Sequence, residues 1–89
     1  MTAEIIKTSD VAKKALEVME RHGIAYVLFL SDKTLVMDPD AEEVHEFPVS
    51  NQLEVYKLLI IRAPFTKMKD SVITVAKKPL KEPYPFRGL

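Results

Sequence analysis

The strongest constraint on the fold is the apolar run Ile24–Leu30, IAYVLFL, which lies between Gly23 and Ser31-Asp32. It is far shorter than the ~20 residues a membrane helix needs, and Tyr26, Val27 and Phe29 favour the extended form. The run is therefore a strand, and alternate side chains of a strand point to opposite faces. Tyr26, Leu28 and Leu30 share one side, Val27 and Phe29 the other. A strand apolar on both faces belongs in a sheet that is covered on both. In 89 residues two helices cover one face and leave little for the second. The expected cover is another subunit or a ligand, unless the helices divide between the two faces.

The elements around this strand follow from spacing and breakers. Ile5, Ala12, Leu16 and Met19 recur at helical intervals, widened by Ala15 and Val18, which predicts a helix over residues 2–22. Thr8-Ser9-Asp10 is also a helix-start signal, so an alternative begins the helix at Ser9 after a short strand at Ala3–Lys7. Arg21 and His22 suit the negative end of the helix dipole, and Gly23 suits a left-handed stop. After a turn at Asp32-Lys33, Thr34–Met37 returns as a strand, which Asp38-Pro39-Asp40 breaks. Val44–Val49 is a third strand, with Pro48 confining it to an edge or ending it. A second helix runs from a cap at Ser50 or Asn51 to about Arg62, with Glu54 in a capping-box-like position and Pro64 beyond. Leu53–Ile61 is apolar nearly all round, as in a helix buried against a sheet or shared between subunits, although VYKLLII is also rich in strand formers. Ser71–Ala76 is the last strand. The expected fold is α+β, in the order α-β-β-β-α-β, with two helices on a four-stranded, mainly antiparallel sheet. The alternative is a ferredoxin-like β-α-β-β-α-β order. Residues 1–76 form one compact domain, and 77–89 a basic, proline-rich tail.

Composition narrows the functional classes. The chain has no cysteine, hence no disulfide, thiolate nucleophile or cysteine-held metal. No signal-peptide pattern opens it, which predicts a cytoplasmic protein with no membrane partner. Asn51 and Gln52 are the only side-chain amides, while Lys and Glu dominate the charges, a thermophile-like profile. A chain this small buries only about 60–65% of its unfolded surface, and with nothing to staple it, self-association is a natural remedy.

A net charge of zero rules out a uniformly basic nucleic-acid protein but conceals an asymmetry. Residues 31–55 hold Asp32, Asp38, Asp40, Glu42, Glu43, Glu46 and Glu54 against Lys33 alone. Residues 62–89 hold Arg62, Lys67, Lys69, Lys77, Lys78, Lys81 and Arg87 against Asp70 and Glu82. Pro79, Pro83 and Pro85 hold the tail extended, with Tyr84 and Phe86 interleaved among its cations. Cations for phosphates and flat rings for bases are the two elements of single-strand binding.

Other constellations fail as chemistry. Glu42-x-x-His45 has the spacing of a carboxylate-bridged metal helix, but the second copy and the two further Glu residues are missing. Asp38-x-Asp40-x-Glu42 starts like a calcium loop, yet Glu43 stands where glycine is needed and Val49 where the closing Glu belongs. The segment reads as a solvated acidic turn. No serine lies in a nucleophile elbow, and two glycines, Gly23 and Gly88, make no phosphate loop. No enzyme activity, cofactor or metal is expected. The first functional expectation is a homodimeric protein binding single-stranded DNA or RNA. Its contacts would be Arg62, Lys67, Lys69, Lys77, Lys78, Lys81 and Arg87, with Tyr84 and Phe86 stacking. The alternative is a protein-interaction or homo-oligomeric assembly module whose basic tail docks on segment 31–55 of a neighbour.

Overall fold

The structure, a computed structural model, describes residues 3–79, and for 3–7 the backbone alone. Helix α1 (Ala3–His22) leads through Gly23 into β1 (Ile24–Phe29), β2 (Thr34–Met37) and β3 (Val44–Phe47). Helix α2 (Gln52–Arg62) follows, then β4 (Lys67–Lys69) and β5 (Val72–Ala76). The strands form one sheet in the order β3-β2-β1-β5-β4, with every neighbouring pair antiparallel. The doubly apolar strand takes the central place, where both its edges are paired.

Three expectations are corrected. The sheet has five strands, not four: Lys67–Lys69 pairs with β5 across the Asp70-Ser71 turn. An edge strand needs no buried face, so its hydrophobic alternation is absent from the sequence. Residues 3–22 are one helix, so the alternative strand at Ala3–Lys7, and with it the β-α-β-β-α-β order, is excluded. Thr8-Ser9-Asp10 thus lies inside the helix, with Thr8 buried. Strand β3 stops at Phe47, immediately before Pro48.

Both helices lie on the same side of the sheet. Val11, Ala15 and Val18 of α1 and Val55 and Leu59 of α2 meet Ala25, Val27, Val36, Ile73 and Val75 in the main core. Gly23 ends α1 with φ +86° and donates its N–H to the Met19 carbonyl at 2.7 Å, in the left-handed conformation that glycine alone takes freely. Asn51 caps α2, its Oδ1 accepting the Glu54 N–H at 3.1 Å. The link before α2 is tied back to the sheet by the Ser50 N–H, which donates to the buried Thr34 Oγ1 at 3.2 Å. Among the described residues, no helix is long and apolar enough to cross a membrane.

Candidate interaction surface

Helix α2 is not buried all round. Its stripe of Val55, Tyr56 and Leu59 packs on the main core, while Leu53, Leu58, Ile60 and Ile61 are exposed, Ile61 to 74%. At 100° per residue these four occupy a broad outward arc, with Glu54, Lys57 and Arg62 among them. The helix ends at Arg62, and beyond Pro64 the chain presents Phe65 and Met68, both exposed as well. At the start of the helix, an open groove between α1 and α2 is lined by Ser9, Val49, Ser50, Asn51, Glu54 and Leu58. Scattered surface apolar residues are ordinary, but several large aliphatic groups on one helix face mark a contact surface.

The basic residues singled out in the sequence are not gathered into one patch. Arg62 closes α2, where its charge suits the helix dipole. Lys67 and Lys69 pair in register with Thr74 and Val72, so they point to the face of the sheet opposite the helices. Lys77 is bound to Glu20 of α1, Nζ to Oε2, at 2.7 Å, and Lys78 is exposed. Lys81, Tyr84, Phe86 and Arg87 lie outside the described residues. Arg62, Lys67 and Lys69 form no ion pair among the described residues.

A third arrangement was invisible in the sequence. The chain's two histidines converge on one carboxylate: His22 Nε2 is 2.9 Å from Glu43 Oε1, and His45 Nε2 is 2.8 Å from Glu43 Oε2. The Arg21 guanidinium donates to the same carboxylate. These hydrogen bonds hold the Glu43 carboxyl down at about 2, that from Arg21 foremost, then those from His45 and His22. Behind it, Asp38 is buried, its Oδ1 accepting the Glu42 N–H at 2.8 Å and its Oδ2 lying 3.7 Å from His22 Nε2. The segment expected to be a solvated acidic turn is instead the clasp that joins the end of α1 to the β2–β3 loop. No set of three or more His, Asp or Glu side chains among the described residues is placed to hold a metal ion. Arg21 and His22 lie 22 and 21 residues from Glu43 in sequence, and no local motif announces such a contact.

Comparisons with protein-family models, with curated proteins and with solved structures return no match.

Proposed function

We propose that the chain is a protein-interaction module that self-associates through the outward face of α2. The observation that carries this is the exposure of Leu53, Leu58, Ile60 and Ile61 on a helix already anchored by its opposite stripe. The occupant is a second copy, and the argument is one of charge. Glu54, Leu58 and Arg62 stand at i, i+4 and i+8 on the same line of the helix. Packing two such helices antiparallel about a twofold axis sets Leu58 against its own counterpart and Glu54 against the partner's Arg62, twice over. Ile61 then fills the space beside the central pair.

The test is the mass in solution by light scattering. Ile61 touches water on most of its surface, so Ile61→Asp leaves the monomer fold intact and is expected to halve the mass of a dimer. Arg62→Glu should weaken association about tenfold, equivalent to ~1.4 kcal/mol, and the added Glu54→Arg should restore it. A wild-type chain that is monomeric at all concentrations, or an Ile61→Asp variant that keeps the dimer mass, overturns the reading.

Lys67 and Lys69, unpaired among the described residues, favour single-stranded DNA or RNA as a second reading. Binding of a labelled oligonucleotide should then fall with salt, with a log–log slope of about −0.7 per phosphate contact. Affinity unchanged by replacing both lysines with Ala removes it.

A further inference from the structure

An open groove flanks the outward face of α2 at the start of the helix. Among the described residues it is lined by Ser9 of α1, by Val49, Ser50 and Asn51 before α2, and by Glu54 and Leu58 on it. Val49 is 56% exposed and Leu58 38%, so the groove offers apolar surface to whatever enters. It holds about 770 Å³, within the ~300–1,000 Å³ of clefts that bury whole ligands, and has room for an aromatic side chain. At the other end of α2 stands Phe65, 40% exposed and the one exposed aromatic among the described residues. Its backbone is held close to the helix end. The Ala63 N–H donates to the Leu59 carbonyl at 2.8 Å and the Thr66 N–H to the Ala63 carbonyl at 3.0 Å, which wraps Pro64 and Phe65 into a tight turn.

We infer that the groove is a socket for the partner's Phe65, filled twice in each dimer; the inference rests on the antiparallel association of α2. Register supports it. With Leu58 set against its own counterpart, every residue faces the one equally far beyond Leu58 in the other direction. Glu54, four residues before, meets Arg62, four after; Asn51, seven before, meets Phe65, seven after. Seven residues of helix span about 10 Å at ~1.5 Å each, which is the distance from the twofold axis to either end of the contact. Asn51 caps α2 and lines the groove, with Val49 and Ser50 directly before it. The pairing that matches the charges therefore also brings the exposed ring to the groove, although the two features are separate in the sequence. A ring seated there meets Val49 and Leu58, while the Glu54 and Arg62 pairs flank it as a polar rim. An aromatic anchor in a pocket, surrounded by contacts that exclude water, is the usual form of an energetic hot spot. About a twofold axis each protomer supplies one Phe65 and one groove, so neither is left over.

Cross-linking of the full-length chain tests this, since the sequence has no cysteine of its own. Phe65→Cys and Val49→Cys chains are mixed, at a concentration where the wild type is dimeric, and treated with a short bis-maleimide. The mixed pair keeps one native Phe65 in its groove, and intact mass separates the mixed product from self-linked ones. Phe65→Cys mixed with Glu42→Cys sets the background, because Glu42 lies in the β2–β3 loop beside the far end of α1. The expected result is a mixed product well above that background. Phe65→Ser should raise the dissociation constant of the dimer about thirtyfold, the scale of one lost hot spot, and Phe65→Leu should raise it less. No mixed product above background, or a Phe65→Ser dimer as tight as wild type, overturns the socket. Association through α2 is judged separately, by whether Ile61→Asp dissociates the dimer. A wild-type chain that is monomeric at all concentrations overturns both.

Discussion

Two side chains give opposite tests of how polar groups are placed. Glu43 is held by three donors, and its folded carboxyl titrates at about 2, against an ordinary value of 4.5. A carboxyl whose folded value is depressed contributes stability above its unfolded value and loses it as pH falls toward the folded one. Thermal unfolding should therefore show Glu43→Gln less stable than wild type at neutral pH, with the gap closing between pH 4.5 and 2. A gap that is constant with pH would mean that the clasp contributes by packing alone. Thr66 is the reverse case: it is 5% exposed, and its Oγ1 has no hydrogen-bond partner among the described residues. Burying a hydroxyl without a partner costs about 1–3 kcal/mol. Thr66→Val keeps the shape, so it should stabilise by about 1 kcal/mol and raise Tm by roughly 4–8 °C. A lower Tm would refute the dry environment assigned to that oxygen.

At the level of elements, the joint between α1 and β1 is the sharpest feature. One residue, Gly23, converts helix to strand, at a backbone angle that other residues reach only with strain. A Cβ placed there meets no atom within 4 Å, so the cost of Gly23→Ala is conformational and not steric. The expected loss is about 1–2 kcal/mol, read as a drop in denaturant midpoint, with Gly23→Asn losing less because asparagine tolerates the left-handed region. An alanine variant as stable as wild type would contradict that backbone geometry. The same scale explains what the sequence disclosed. Strand β1 was legible because Tyr26, Val27 and Phe29 are apolar in both alternations, and α2 because Asn51, Glu54 and Pro64 bracket it. Strand β4 was not: Lys67, Met68 and Lys69 carry no alternating apolar signal, and its pairing with β5 supplies the order. The burial of α2 was overestimated since apolar composition alone does not reveal which side meets the core. Thr8-Ser9-Asp10 misled because a local capping preference yielded to the packing of Val11, Ala12 and Ala15 within a longer helix. The Glu43 clasp joins residues far apart in sequence, which periodicity cannot see.

For the whole molecule, the doubly apolar β1 foretold a sheet with two apolar faces, and both faces of the strand carry buried side chains. Both helices pack on one side, and Ile24, Tyr26, Leu28, Met37 and Ala76 form a second buried cluster on the other.

The ends of the sheet carry a consequence of their own. A flat, exposed strand edge recruits further strands and seeds fibrils, and lysines or proline at an edge oppose that growth. One edge here is three residues long and carries Lys67 and Lys69, and the other stops at Pro48. Copies of this chain can therefore meet at high concentration without their sheets merging into fibres.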